Sequence, residues 1–453
     1  MKTNNPRREF IKSVAKGLAG TAIGSSLLPL LANAQSTNGY KALVCINLQG
    51  GNDAFNCFVP MSKSAYNSYA AIRQELAVPH EHLLTLNSKG QQAYGVNNLL
   101  GETQSLFNRG KLAIVSNVGN LHEPINKQAF FEKTALPPAH LFSHHDQTLY
   151  AHTLNQGELS SGWAGRVAEL MAHNNINQHL AMNISLSGDN YLQRGVDTLP
   201  YTVRSSGVNM IEQLSETDPA SFSASRAKLY RQFLSSERVH LLHRYYSQLQ
   251  MDAWGTAQYV ADILDSQILP ALPLFATTHT SSFVQSLAMI VRLISARDAF
   301  EVKRQVFYVN LGGFDTHRDQ LAQHAPLMMQ LDQGLGLFYQ ALEALGLENN
   351  VTAFTMSEFG RTLTRNGDGT DHGWGSHHMV LGGAVDGQQI YGQLPTLEID
   401  SDDDLGRGRI IPTTSFEQYS ATLCRWFGIA NQDLHQLLPN LRNFNLSDLG
   451  FLN

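Results

Sequence analysis

Residues 41–48 read Lys-Ala-Leu-Val-Cys-Ile-Asn-Leu and run without a break into Gln49-Gly50-Gly51-Asn52-Asp53. A strand with one solvated face would alternate apolar and polar residues. This unbroken apolar run predicts a strand buried on both faces, ending in a tight turn. The same pattern recurs along the chain. Lys111–Val118 runs into Gly119-Asn120, and Arg304–Leu311 into Gly312-Gly313-Phe314-Asp315. Val351–Met356 runs into Ser357-Glu358-Phe359-Gly360-Arg361, and His378–Val385 is a fifth candidate. Between these runs, Ala224–Leu249, Ser282–Val302 and His324–Leu347 carry apolar residues at three- and four-residue spacing. Phe416–Phe427 reads as a late helix with Ser415 as its N-cap. Strands alternating with helices predict an α/β fold with a mostly parallel central sheet flanked by helices. In such sheets functional groups gather at the carboxyl ends of the strands, which here read GGND, GGFDTH and SEFGRT.

The chain has 453 residues, 43% of them hydrophobic and 15% charged, enough for a large core and unlike a disordered or coiled-coil protein. Its net charge of −6 argues against a general nucleic-acid binder. Three scattered cysteines, Cys45, Cys57 and Cys424, are too few for a disulfide framework or a cysteine zinc site. There is no H-E-x-x-H, Walker P-loop, C-x-x-C or G-x-S-x-G.

The first 34 residues read as an address. Arg7-Arg8-Glu9-Phe10-Ile11-Lys12 precedes a weakly apolar, glycine-diluted stretch and then Ala32-Asn33-Ala34, a small-residue cleavage site. This is the pattern of a twin-arginine signal peptide, and it predicts a periplasmic or secreted protein handled by the twin-arginine export machinery. The stretch is too short and too glycine-rich for a stable membrane span. The remainder, 35–453, shows neither internal repeat nor low-complexity linker and is expected to be one domain. Within it, the polar segment Gln178–Asp218 reads as a cap or insertion. The leader holds Lys2, Arg7, Arg8, Lys12 and Lys16 against Glu9, so removing it leaves a chain near −10.

The candidate chemistry lies in three polar clusters. The first is Gly50-Gly51-Asn52-Asp53, the second Gly313-Phe314-Asp315-Thr316-His317. The third and densest is Ser357-Glu358-Phe359-Gly360-Arg361 followed by Asp371-His372 and His377-His378. Carboxylates and imidazoles are the donors that zinc, manganese and magnesium take. Asp53, Asp315, His317, Asp371, His372, His377 and His378 would furnish one or two divalent ions, which in a paired site activate a nucleophile and neutralise a transferring group. Glu358 and Arg361 are candidate catalytic groups, Arg361 for a bidentate contact to a phosphate or sulfate oxygen. A fourth patch, His140–Gln147, would add ligands or substrate contacts.

The segments LVCINLQGGNDAFN, LFSHHDQ, SGWAGR, GGFDTH, FTMSEFGRTLTRNGDGTDHGWGSHH and GRGRIIPTTSFEQYSATLCRWFG resemble the secreted bacterial family known as domain of unknown function 1501. That family is grouped with the alkaline phosphatase–sulfatase superfamily. The resemblance spans about Tyr40 to Phe427. It implies an alkaline phosphatase-like fold with metal ligands on loops after the strands. Asp53 would be the first-strand ligand, Asp315 and His317 the middle pair, Asp371 and His372 the later pair, and His377 or His378 the last. It also implies a hydrolase of phosphate or sulfate esters, on a small molecule or a glycan. One feature departs from the superfamily. Where a Ser, Thr or modified Cys nucleophile is expected, the chain reads Ala54-Phe55-Asn56-Cys57, and Cys57 lacks the C-x-P-x-R context of sulfatases. Three alternatives stay open: a nucleophile from elsewhere (Ser143 or Thr316), direct attack by a metal-activated water, or a non-catalytic protein that binds a glycan or protein partner.

Overall fold

A computed structural model describes residues 39–90, 93–154, 161–177, 179–211, 214, 222–236, 240–266, 273–276 and 281–453. The expected export leader lies outside the described residues. Asn38–Asn453 group as one compact unit.

The Lys41–Gln49 strand sits in the middle of a ten-stranded sheet. It pairs in parallel with Val351–Met356 on one side and with Arg304–Gly312 on the other. Arg304–Gly312 pairs in parallel with Asn183–Ser185, and that strand with Tyr201–Arg204. All seven residues from Ala42 to Leu48 are buried, as the unbroken apolar run requires. Alternate residues serve opposite faces. Ala42, Val44, Ile46 and Leu48 join one core with helices Ser282–Ser295 and Gln320–Leu345. Leu43 and Cys45 join a second core with helices Trp163–Leu170 and Phe416–Phe427. The sheet is thus mostly parallel and covered by helices on both faces. Each fully buried aliphatic side chain contributes about 1.5–3 kcal/mol of transfer free energy.

Beyond the parallel core the order changes. Ser376–Leu381 runs antiparallel between Val351–Met356 and Leu112–Gly119. Gln178–Asp218, read as a cap or insertion, supplies three short strands toward one end of the sheet where it is described: Asn183–Ser185, Tyr201–Arg204 and Gly207–Val208. The expected helix over 224–249 is two helices, Phe222–Ser235 and Leu241–Ser266. Phe416–Phe427 forms as expected, with a capping box between Ser415 and Gln418.

Register fixes the site. Gln49 lies opposite Gly312, and Asn47 lies opposite both Asn310 and Met356. The three strand-end motifs therefore leave the sheet side by side. Gly50 adopts a φ of +118°, and a β-carbon there would lie 2.4 Å from the Asp315 amide nitrogen. Only glycine allows the first turn to back onto the second.

Candidate metal centre

Among the described residues, one group of His, Cys, Asp or Glu places a ligand atom from each member within 4.8 Å of the others: His144, Asp315 and His372. Asp315 follows the Arg304–Gly312 strand. His372 closes the Gly369–His372 strand, which forms a small antiparallel ribbon with Arg361–Asn366. His144 opens the His144–Thr153 helix, where the Ser143 side chain accepts a hydrogen bond from the Asp146 amide and orients the first turn.

Each histidine is held through Nδ1 and faces inward through Nε2. His144 Nδ1 lies 2.7 Å from Glu358 Oε1, and its Nε2 lies 3.4 Å from Asp315 Oδ2. His372 Nδ1 lies 2.7 Å from the Phe142 carbonyl, and its Nε2 lies 3.1 Å from Asp315 Oδ1. His317 stands beside them, with Nε2 2.9 Å from Asp315 Oδ1 and 3.0 Å from His372 Nε2, and Nδ1 3.4 Å from Asp371 Oδ1. A carbonyl only accepts, so His372 Nδ1 carries its proton and a neutral ring turns a lone pair toward Asp315. Bare lone pairs facing a carboxylate at this range repel unless a cation lies between them.

Three observations fit a divalent ion. A tetrahedral ion with donors at about 2.0–2.2 Å holds neighbouring donors roughly 3.3 Å apart, close to the separations here. Histidines that ligate metals typically donate their other N–H to a carboxylate or backbone carbonyl, as His144 and His372 are placed to do. Finally, Glu358 is 2% exposed; its Oε1 accepts from the Gly50 amide at 2.9 Å, while Oε2 is buried without a protein partner.

Charge is arranged to match. Burial pushes the Asp315 carboxyl up, but the Arg361 hydrogen bond and charge, aided by His317 and His144, outweigh it and hold the group below the usual carboxylate range. The hydrogen bond to Glu358 raises the affinity of His144 for a second proton against burial. Burial lowers it for His372. Phe359 stacks on His372 at 4.6 Å and walls one side. The cluster opens onto a cavity of about 500 Å³ lined by Gln49, His145, Tyr191 and Gly313 as well as site residues.

Several expected site residues have other places. Asp53 is fully buried in a two-pronged ion pair with Arg73, at 2.6 and 2.9 Å, and also accepts from Gln320 Nε2. Both its oxygens are occupied, so it is not free to take an ion alongside Asp315. It reaches the cluster indirectly, as Gln320 Oε1 accepts from Thr370 Oγ1, and Thr370 Oγ1 accepts from Arg361 Nε.

Arg361, expected to meet substrate, is fully buried. It donates to Asp315 Oδ1 at 2.7 Å, to Gly50 O and to both oxygens of Thr370. It positions Asp315 instead. Glu358 likewise meets His144, through Oε1. His377 and His378 are core histidines. His377 Nδ1 accepts from the Asn117 amide and its ring meets Phe55 edge-on, while His378 stacks on Tyr419. Burial lowers their pKa values to about 4 and about 3, so they stay neutral. Asp371 bonds Asn366 and approaches His317 at the rim.

The residue that sequence reasoning left out of the ligand set is His144, 171 positions before Asp315. Its signal lay in the fourth patch: Ser143 as a helix cap, fixing the histidine that follows.

No thiol or hydroxyl is presented as a nucleophile among the residues considered for that role. Cys57 is buried, and burial pushes its thiol far up. Thr316 is fully buried, and Ser143 Oγ donates to Asp146 Oδ2 while capping its helix. All three cysteines are buried and free.

A parallel-centred α/β sheet with a histidine–carboxylate cluster at its strand ends defines the class of protein. The chain belongs to the family described as "Protein of unknown function (DUF1501)", whose sequence profile matches residues 40–436. No curated protein matches it. Among solved structures it is similar to the PsFucS1 sulfatase from Pseudoalteromonas sp., at 9% identity, 95% of this chain, 73% of that chain and a TM-score of 0.35. It is also similar to the lipoteichoic acid synthase LtaP from Listeria monocytogenes, at 8% identity, 89% and 76% coverage and a TM-score of 0.33. For the alkaline phosphatase from the Antarctic bacterium TAB5 the values are 8% identity, 75% and 91% coverage and a TM-score of 0.27. Likenesses this distant carry no weight for activity, which rests on the site.

Proposed function

We propose that this protein is an exported metal-dependent hydrolase of phosphate or sulfate esters. One observation carries the reading: His144 and His372, each anchored through Nδ1, turn Nε2 toward the two oxygens of one carboxylate, Asp315. His144, Asp315 and His372 would hold the ion, with His317 at their side. A divalent cation there supplies Lewis-acid polarisation of a phosphoryl or sulfuryl oxygen and lowers the pKa of a water. The chain's own groups do the rest. Arg361 orients Asp315, Glu358 fixes the tautomer of His144, and Phe359 keeps water from one side of His372. His145 and Tyr191, lining the adjoining cavity, are placed to meet the alcohol portion of an ester. Export rests on the Arg7-Arg8 leader and its Ala32-Asn33-Ala34 end. Recovery of an intact N-terminus from the protein in the cytoplasm would refute it.

The test is metal content followed by turnover of aryl phosphate and aryl sulfate esters with Zn²⁺, Mn²⁺ or Mg²⁺. The expected result is metal-dependent hydrolysis that His372→Ala abolishes. That Cys57, Thr316 and Ser143 are not presented to the cluster favours a second reading, a metal-retaining protein that binds a glycan or protein partner without turnover. Retained metal with no hydrolysis of either ester class would select it.

A further inference from the structure

An ester bound at the cluster would send its alcohol portion into the adjoining cavity of about 500 Å³. Among the described residues, those lining that cavity include no lysine or arginine and no leucine, isoleucine, valine or methionine. A second anionic group would meet no ammonium or guanidinium there, and an alkyl chain would meet no aliphatic side chain to pack on. Arg194 lies over the Tyr191 ring, 5.4 Å from its centroid, but is itself paired with Asp189. Besides the cluster, the lining offers hydrogen-bonding groups: the Gln49 amide, the Thr148 hydroxyl and the Tyr191 hydroxyl, with His145 edge-on to Tyr191.

Of these, Gln49 has its hydrogen-bonding sense fixed by the sheet. Asn47 and Gln49 are two apart on one strand and so share a face, and Asn310 lies opposite Asn47 on the next strand. Asn47 Nδ2 donates to Asn310 Oδ1 at 2.9 Å, and Asn310 Nδ2 donates to Gln49 Oε1 at 2.7 Å. The ladder is anchored at its base, because Asn47 is buried and the Asn310 backbone amide donates to Ser187 Oγ at 2.8 Å. Each amide oxygen accepts from the amide before it. The last in line, Gln49, is exposed and keeps its Nε2 protons without a protein acceptor among the described residues. It therefore presents a donor to the cavity, and a hydroxyl oxygen is an acceptor that matches it. A site built to hydrogen-bond a substrate hydroxyl rejects the analogue that lacks one. We infer that Gln49 is a specificity-determining residue: its amide protons select, among phosphate or sulfate esters, those whose alcohol carries a further hydroxyl group. The inference rests on the ester reading of the metal centre.

The probes are glucose 6-phosphate against hexyl phosphate, and glucose 6-sulfate against hexyl sulfate, each offered to the Zn²⁺-loaded protein. Binding is read by isothermal titration calorimetry and turnover by release of phosphate or sulfate. The anion is the same within each pair, so the ratio of affinities isolates the alcohol. Wild type is compared with Gln49→Met and Gln49→Glu. A glutamate keeps an oxygen for Asn310 but has no proton to donate, so it rescues a merely structural ladder and does not rescue a donor. We expect wild type to bind each glucose ester roughly tenfold or more tightly than its hexyl counterpart, and both variants to cut that ratio about fivefold or more. A ratio that either variant leaves unchanged would overturn the inference, as would a wild type that binds the hexyl esters equally well or binds neither. The expected ratios without any release of phosphate or sulfate would uphold it and refute the hydrolase reading instead.

Discussion

Asp53→Asn separates two roles for the acidic group at the end of the first strand. As a metal ligand, its loss would cost ion affinity and little stability. The structure instead pairs Asp53 with Arg73, both fully buried, and adds Gln320 as a third partner. Removing the carboxylate charge leaves a guanidinium in the interior without a counter-ion, which costs about 3–5 kcal/mol. Unfolding entropy is roughly 2.1 cal/mol/K per residue, so for some 416 residues this corresponds to a fall of about 3–6 °C in the unfolding midpoint. Thermal melts of wild type and variant, each with chelator and with excess Zn²⁺, measure it. The expected fall is equal in the two conditions, and zinc affinity of the folded variant by competition titration stays within threefold of wild type. An unchanged midpoint with a hundredfold loss of zinc affinity would refute the structural role and restore Asp53 to the metal.

Three further outcomes follow from named contacts. Glu358→Gln replaces the carboxylate behind His144 and is expected to weaken metal binding by roughly 10- to 100-fold; unchanged affinity in the same titration would dissociate Glu358 from the site. Gly50→Ala drives a β-carbon against the Asp315 backbone and should displace that loop, lowering metal affinity at least tenfold, with a wild-type crystal position for Asp315 as the contrary result. Burial raises the Glu417 carboxyl to about 7 from 4.5, against its hydrogen bonds to Asn440 and the charge of Arg166. Its protonated form is favoured in the fold, so its contribution is whole below pH 4.5 and is lost as pH rises through 7, a loss of roughly 3 kcal/mol. Denaturant midpoints at pH 5 and 8 should therefore differ less in Glu417→Gln than in wild type; identical differences would show that Glu417 does not titrate there.

The sheet was legible because burial on both faces leaves its mark within one strand. Lys41–Gln49 and Val351–Met356 need no tertiary information to be recognised. Direction leaves no such mark, so Ser376–Leu381 gave no sign of being antiparallel. Asn183–Ser185, at three residues, is too short to show any period. The break between Phe222–Ser235 and Leu241–Ser266 was hidden because apolar residues continue across it. At the site, Asp315 and His317 are two apart in the chain and Asp371 and His372 are consecutive, so each pair stays together in space. His144 arrives from another helix. Asp53, His377 and His378 have the same letters a ligand would have. What separates Asp53 and His377 from ligands is a partner no local pattern predicts, Arg73 for Asp53 and the Asn117 amide for His377; His378 is set apart by its place in the core against Tyr419, outside the His144–Asp315–His372 group.

Anomalous diffraction from crystals of the Zn²⁺- or Mn²⁺-loaded protein decides whether these side chains hold an ion. The expected result is an ion with His144 Nε2, an Asp315 oxygen and His372 Nε2 at about 2.0–2.2 Å. No anomalous peak among these three side chains, or a peak held by Asp53 and His377, would contradict it.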